Sequence, residues 1–477
     1  MTSMFVRIGL TLGILLTSCV PAASEAVAEI VQQSATDTPT PRQNLATYTP
    51  PPTYSPVAMD TKAAVVTAPP TGTDLPKEVS PTKVTASSTV TTPVSTHRPQ
   101  KDNKASVGGK DRIFGRYPCV EDPKIRFASA FFPPELITAI MPMGKVAPDS
   151  GHVTPTDHLY IHRDPPKGED TDYVLAPADG AIVGIQRFPE DQHLISGDWS
   201  SPKVPDYRVV IMHSCSLFTI FIHLGEFAAD IAVQTGEIPL NGQWSAGQSP
   251  PIEIKAGQPI AKFGGDSNDW SVHDADTILP GFVVPEHYEM EEWKIHTIDP
   301  FTLYDEPVKS ALLAKVIREI EPIAGKIDYD VEGTIAGNWF LDGTVDYRGN
   351  VPVGTPRYWD GHLYIGYGYI DPTQIRISIG FLTDISRDMC NICRGAYGVR
   401  GNDPYPDTVT SASGIVKYEL MSRDEQSKWN REQVGDVSLG TLLVEHLGDR
   451  TIRIEMVVGM APQDVSGFSD NARLYRR

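Results

Sequence analysis

Residues 208–224 read RVVIMHSCSLFTIFIHL, and this stretch decides how the surrounding chain folds. A strand, a tight turn and a second strand follow one another within it. On the second strand, Thr219, Phe221 and His223 share one face, because side chains alternate every two residues. The stretch therefore predicts a β-hairpin that carries a histidine at the end of its second strand.

Two further blocks flank this hairpin: residues 173–183 read YVLAPADGAIV, and residues 254–265 read IKAGQPIAKFGG. In this order, the three blocks resemble the lysostaphin-type zinc endopeptidases, also called LytM-domain or murein endopeptidases. The hairpin aligns with the family's block without a gap, and His223 falls on its final His-Leu. The resemblance covers about a quarter of the chain, residues 151–274. It implies a small β-domain of the lysostaphin type.

The resemblance also implies one zinc ion, with one position left open for water. In the family, a His-x-x-x-Asp pair and the second histidine of a His-x-His motif are the ligands. His158 and His162 have the first spacing, although a histidine replaces the aspartate. Asp157 is the alternative ligand, and in that case His162 is a surface residue. His273 fits the final ligand.

Two histidines assist catalysis in this family, and only one has a match here. His223 matches the histidine that stabilises the transition state, whereas Ser271 stands where the other is expected. Serine cannot take up a proton at neutral pH as imidazole does. Three outcomes follow: zinc with weakened hydrolysis, a metal-free binding fold, or full endopeptidase activity. In each case we expect His158, His223 and His273 to converge.

The N-terminus predicts export and lipid attachment. Arg7 precedes an apolar run, residues 8–16, that is too short to span a bilayer. The run ends in Leu-Thr-Ser-Cys, which resembles the lipobox of bacterial lipoproteins, with lipid attached to Cys19. This implies a signal peptide over residues 1–18 and a protein anchored on the extracytoplasmic side of a bacterial membrane. A plain signal peptide cleaved near residues 22–23 is the alternative.

The remaining chain divides by composition, and the predicted fold is mainly β. Residues 19–110 predict a disordered tether, because 28 of the 65 residues from 36 to 100 are Thr or Pro. Residues 111–306 predict the lysostaphin-type β-sandwich or barrel-sandwich hybrid, and residues 307–323 an amphipathic connector helix. Residues 324–477 predict about eight strands, the first over 326–335, in an antiparallel barrel or sandwich.

Net charge indicates which class of partner is disfavoured, and the cysteines indicate possible disulfides. With 41 Lys and Arg against 60 Asp and Glu, the net charge is 41 − 60 = −19, which disfavours a nucleic-acid partner. Besides Cys19, the sequence holds Cys119, Cys215, Cys390 and Cys393. These four are disulfide candidates with three alternative pairings, and the CxxC pair is expected to be structural.

Together these features predict a lipid-anchored cell-surface protein with a divergent zinc-peptidase domain. Its expected partner is a cell-wall peptide or another surface polymer, which it hydrolyses or binds. One alternative is a non-catalytic scaffold lipoprotein that binds the cell wall. The other is a solute-binding lipoprotein that uses the C-terminal barrel.

Overall fold

A computed structural model of the chain describes residues 117, 119–121, 124–148, 151–163, 173–193, 199–247, 249–265, 267–344, 346–348, 359–380, 390, 392–423 and 434–477. The predicted signal peptide, lipidation site and tether lie outside these ranges. Within them, no helix is long and apolar enough to cross a bilayer.

The first half of the described chain is a β-domain built on one ten-stranded sheet. Its main path runs β1-β2-β12-β8-β7-β4-β10, β11 pairs with β3 and β8, and β9 pairs with β4. β5 and β6 form a separate pair. The strands are β1 (Ile137–Met141), β2 (Leu159–Arg163), β3 (Tyr173–Leu175), β4 (Gly180–Arg187), β5 (Gln192–His193), β6 (Lys203–Val204), β7 (Tyr207–Met212), β8 (Leu217–Phe227), β9 (Gln243–Ser245), β10 (Ile252–Ile254), β11 (Pro259–Phe263) and β12 (Ser267–Asp274).

Short helices join these strands. An α-helix, α1 (Ala229–Thr235), follows β8, and 3-10 helices span Pro134–Leu136, Pro285–His296 and Pro300–Leu303. The predicted connector helix is much shorter than expected, because α2 covers only Val308–Leu313. Beyond it, the backbone pairs with Ile140 of β1 through Lys315 and Ile317. This extended pairing ends the helix early.

The predicted hairpin is confirmed as β7 and β8, which pair antiparallel. One part of the prediction is wrong, because β8 does not end at His223 and does not keep its alternation there. The pairing shifts by one residue between Phe221 and Leu224, and His223 takes a left-handed φ of 66°. Phe221 therefore packs in the core, while His223 faces the opposite side of the sheet together with Ile222.

The second half is a closed eight-stranded antiparallel barrel, one of the two architectures predicted. Each strand pairs with the next, and β20 closes onto β13. Apolar side chains, among them Trp339, Tyr418 and Tyr475, fill the interior. The strands are β13 (Gly337–Leu341), β14 (His362–Tyr367), β15 (Ile375–Ile379), β16 (Gly395–Val399), β17 (Val416–Arg423), β18 (Val434–Gly448), β19 (Thr451–Val458) and β20 (Arg473–Arg476), with 3-10 helices at Asp346–Arg348, Arg400–Asn402, Pro406–Thr408 and Pro462–Asp464.

The segment before the barrel is not the strand predicted for residues 326–335. Its polar side chains bind backbone instead: Asp328 accepts from the N–H of Gly281 at 2.8 Å, and Asp330 from the N–H of Asn338 at 2.7 Å. One barrel strand, β16, was not predicted from the sequence. Its glycines at 395 and 398 lower the strand propensity of this segment.

Aromatic residues of the barrel enter the core of the β-domain. Phe340 and Tyr347 belong to the same buried cluster as the residues of the ten-stranded sheet. The ring centroids of Tyr288 and Tyr347 are 5.1 Å apart, and those of Phe282 and Tyr288 are 4.6 Å apart. The two halves therefore share one apolar core along their contact.

The four cysteine candidates form two disulfides. Cys119 pairs with Cys215, which ties the start of the described chain to the turn of the β7–β8 hairpin. Cys390 pairs with Cys393 just before β16. Of the three alternative pairings, the structure holds the one in which the CxxC cysteines are bonded to each other.

Gly325 gives a first testable prediction. It has a φ of +94°, and a Cβ atom there would collide with the backbone of Met143. We therefore expect Gly325→Ala to lower the free energy of unfolding by about 2 kcal/mol, through strain and the collision together. Urea unfolding measures this, with Gly333→Ala as the matched control. Gly333 also has a positive φ, but nothing lies within 4 Å of the added atom. Equal losses in both variants would contradict the role of the collision.

Candidate functional site

A solvent-open cleft of about 270 Å³ lies over neighbouring strands of the sheet. Its floor includes His158 just before β2, Asp269 on β12 and His223 on β8. These strands are adjacent in the order β2-β12-β8, so Asp269 lies between the two histidines. On β12, Trp270 and Val272 face the core, which leaves the alternate residues for the opposite face.

Two imidazoles point at a single carboxylate oxygen. Nε2 of His158 lies 3.4 Å from Oδ2 of Asp269, and Nε2 of His223 lies 3.5 Å from the same oxygen. Among the described residues, neither Nε2 of His158 nor Oδ1 of Asp269 has a hydrogen-bond partner, although both atoms are buried. Buried polar atoms are normally satisfied, so these two atoms point to a ligand.

The other ring nitrogen of each histidine, Nδ1, contacts a second carboxylate. Nδ1 of His158 lies 3.0 Å from Asp157, and Nδ1 of His223 lies 3.1 Å from Asp206. If each Nδ1–H donates to its carboxylate, each Nε2 is left facing Asp269. A lone pair facing a carboxylate is repelled, so the centre of the cleft requires a positive charge, from protons or from a cation.

The electrostatics of the cluster agree with this requirement. Burial alone would lower the pKa of His158, but Asp269 and the hydrogen bond to Asp157 outweigh it and raise that pKa above 6.5. Burial opposes ionisation of Asp157, yet His158 and Lys294 together hold its pKa far below the usual range. The pKa of His152 is lowered to about 3, first by burial and then by His158. His152 is therefore neutral at neutral pH.

The backbone at His223 is held in its left-handed conformation by two contacts. The carbonyl of His223 accepts hydrogen bonds from the N–H of Gly264 at 3.1 Å and from the side-chain amide of Asn268. A Cβ atom on Gly264 would collide with this carbonyl, so glycine is required there. Non-glycine residues with positive φ are uncommon and cluster at functional sites.

Other parts of the fold build the walls. The 3-10 helix Pro285–His296 contributes Glu291, Trp293 and Lys294, and the barrel contributes Tyr347. The hydroxyl of Tyr347 donates to Glu291 at 3.0 Å, and the ammonium of Lys294 donates to the carbonyl of Pro155. The cleft thus combines carboxylates, imidazoles and cations within one cavity.

The structure brings together only some of the residues that the sequence suggested. Asp157, His158 and His223 line the cleft. His162 does not line it and instead contacts the sulfur of Met141 at 3.1 Å. His273 is fully buried beneath the sheet surface, where burial lowers its pKa to about 4.

Both ring nitrogens of His273 already have hydrogen-bond partners. Nε2 lies 2.8 Å from the hydroxyl of Ser271, and Nδ1 lies 3.0 Å from the carbonyl of Trp293. Asp269 occupies the β12 position nearest to His158 and His223 instead. Sequence reasoning missed both Asp269 and Asp206. The only available signal for Asp269 was its place on the same alternating face as Ser271 and His273.

Comparison with known proteins adds no assignment, since no family model and no curated protein matches this chain. Nor does the described part of the chain contain three His, Cys, Asp or Glu side chains already arranged to hold a metal ion.

Proposed function

We propose that the protein is a lipid-anchored cell-surface protein whose cleft is the zinc site of a divergent lysostaphin-type peptidase acting on cell-wall peptides. One observation carries the proposal: His158 and His223, each backed by a carboxylate, aim at the same oxygen of Asp269 in an open cleft. The motif resemblance over residues 151–274 and the lipobox at Cys19 support the substrate class and the location.

The residues fit a zinc ion in two respects. Neighbouring ligand atoms of a tetrahedral site with metal–ligand bonds of about 2.1 Å lie roughly 3.4 Å apart, and the two spacings to Asp269 are 3.4 and 3.5 Å. Histidine ligands of zinc almost always donate their other N–H to a carboxylate, carbonyl or water. Since the three side chains do not yet close around one point, zinc binding would involve a small adjustment of their rotamers.

In this proposal, His158, His223 and Asp269 would hold the ion, while Asp157 and Asp206 would orient the two imidazoles. Zinc would supply a polarised carbonyl and an activated water. Lys294 and Tyr347 line the wall of the cleft, and in this proposal a bound peptide would lie beside them. This ligand set differs from the expected one, because His223 becomes a ligand and neither His162 nor His273 takes part.

The decisive experiment measures zinc in the purified protein by elemental analysis and follows cleavage of isolated peptidoglycan. We expect about one zinc per chain in the wild type, its loss in His158→Ala, and retention in the control His193→Ala, since His193 lies outside the cleft. A metal-free wild type that still binds peptidoglycan would replace the enzyme with the scaffold function. The scaffold function is the second candidate because the three side chains are not already arranged around one metal position.

Asp206 provides a separate prediction. Asp206→Asn removes the charge behind His223 but keeps the shape of the side chain. We expect zinc affinity to fall by about 10–100-fold, as is typical when an outer partner of a ligand is lost. Calorimetric titration with zinc measures the effect, and Asp191→Asn, which lies outside the cleft on an ion pair with Arg187, is the control. Unchanged affinity in Asp206→Asn would contradict the proposed role of Asp206 in orienting His223.

A further inference from the structure

A second, smaller cavity of about 180 Å³ adjoins the cleft. Arg208 and Trp293 line both cavities, so the two are neighbours along the same face of the sheet. Apolar side chains of β4, β7 and β8, including Val210 and Ile220, form its remaining surface. A ligand that extends out of the cleft would meet this cavity next.

Arg208 is the cation between the two cavities. Its guanidinium lies over the ring of Trp293, 5.7 Å from the centroid. In the described part of the chain no carboxylate pairs with it and no oxygen accepts its hydrogen bonds. Burial lowers the pKa of Arg208, whereas Glu291 and Asp157 act at a distance to raise it. The group stays charged, because arginine does not lose its proton in proteins.

Such an arginine is suited to one kind of ligand group. A guanidinium presents a planar set of donors that matches a carboxylate, and it is less strongly hydrated than an ammonium. The cavity offers one cation, an aromatic face and an apolar floor. Glu291 nearby disfavours groups with two negative charges, so a single carboxylate fits better than a phosphate.

We propose that this second cavity is a carboxylate subsite, in which Arg208 binds a carboxylate of a peptide ligand and Trp293, Val210 and Ile220 contact its small apolar side chains. The inference deepens the proposed function, on which it rests for the peptide class of the ligand. It predicts that peptides with a free carboxylate next to short aliphatic residues are preferred over their neutral amides.

The wall opposite the sheet supports a preformed subsite. Tyr117 lines the cavity and packs on the buried cluster of Val183, Met212 and Phe218. Two residues further on, Cys119 is bonded to Cys215, and the N–H of Cys215 donates to the carbonyl of Val120 at 3.1 Å. The disulfide thus fixes the segment that bears Tyr117 over the sheet.

Calorimetric titration of the whole protein with acetyl-Ala-Ala-Ala and with its C-terminal amide tests the subsite. We expect the acid to bind about tenfold more tightly than the amide, a modest effect for a charge-assisted hydrogen bond. Arg208→Met, which keeps the aliphatic stem, should remove this difference. Arg208→Lys should retain part of it, because the charge remains and the planar donor set is lost.

Arg450→Met is the matched control, since it removes one exposed cation outside both cavities and should leave the preference intact. Equal binding of acid and amide by the wild type, no binding of either, or a preference that persists in Arg208→Met would each overturn the subsite. If Arg208→Met does not fold, the acid–amide comparison on the wild type and Arg208→Lys still decides.

Zinc content of the same samples separates this inference from the proposed function. If zinc is present but the acid is not preferred over the amide, the zinc site is supported and the carboxylate subsite is contradicted. Acid preference without zinc supports the subsite and instead removes the proposed peptidase.

Discussion

Asp269→Asn is expected to weaken zinc binding by more than about 100-fold while leaving the fold intact. Loss of an outer partner already costs about 10–100-fold, and Asp269 is the group that faces both His158 and His223. The amide keeps the size of the side chain but removes the negative charge that balances the ion. Calorimetric zinc titration gives the dissociation constant, and the circular dichroism spectrum reports the fold.

Asp305→Asn is a suitable control, because its side chain is 78% exposed and lies outside the cleft. It should bind zinc like the wild type. If Asp269→Asn also retains wild-type affinity, the proposed ligand set is wrong. If peptide hydrolysis nevertheless persists in that variant, the cleft is not the active centre.

Arg477→Met is expected to destabilise the protein by about 3–5 kcal/mol, the usual result of breaking a buried ion pair on one side. The side chains of Arg477 and Asp330 are each 1% exposed and lie 3.6 Å apart. Arg477 also donates to the carbonyls of Val331 and Thr334 at 3.0 Å and lies over the ring of Trp339. Its loss leaves Asp330 as an uncompensated buried charge.

The effect should depend on pH with a definite sign. Burial, opposed by Arg477, raises the pKa of Asp330 from 3.8 to about 6. A carboxyl group whose folded pKa is raised favours the folded state at low pH, and this contribution is lost as pH rises from about 4 through about 6. Without Arg477 this pKa rises further, so the destabilisation should be larger at pH 8 than at pH 5.

Urea unfolding of both proteins at the two pH values measures this difference. Arg476→Met is the matched control. The side chain of Arg476, the preceding residue, is 59% exposed and pairs with Asp342 at the surface. Exposed pairs contribute about 0–1 kcal/mol. Equal losses for both arginine variants, or a loss at pH 5 as large as that at pH 8, would contradict the role of the Asp330 pair.

The sequence predicted the mainly β fold because alternation and turn residues mark strands locally. The β7–β8 hairpin, the barrel architecture and most barrel strands follow from such local patterns. Two kinds of element do not. Residues 326–335 look like a strand, but buried aspartates bind the backbone of neighbouring segments there. α2 ends early because its continuation pairs with β1. Both outcomes depend on contacts distant in sequence.

Only part of the candidate cleft could be predicted from the sequence. The two-residue period of a strand explains this limit. The expected ligand His273 and the proposed ligand Asp269 lie four residues apart on β12, so both belong to the same alternating set. A pattern of alternate residues identifies a face but not the position along it. For His223, alternation predicted the wrong face. One extra residue in β8 places it on the face opposite that of Phe221.

The shared aromatic contact has a consequence for protein engineering. Tyr347 forms part of the cleft wall, yet it belongs to the barrel half of the chain. A fragment that ends before Gly337 would therefore have a cleft open on one flank and would expose Tyr288, which contacts Phe340 and Tyr347, to water. Such a fragment is expected to aggregate, so the two halves are best produced, exchanged or redesigned as a single module.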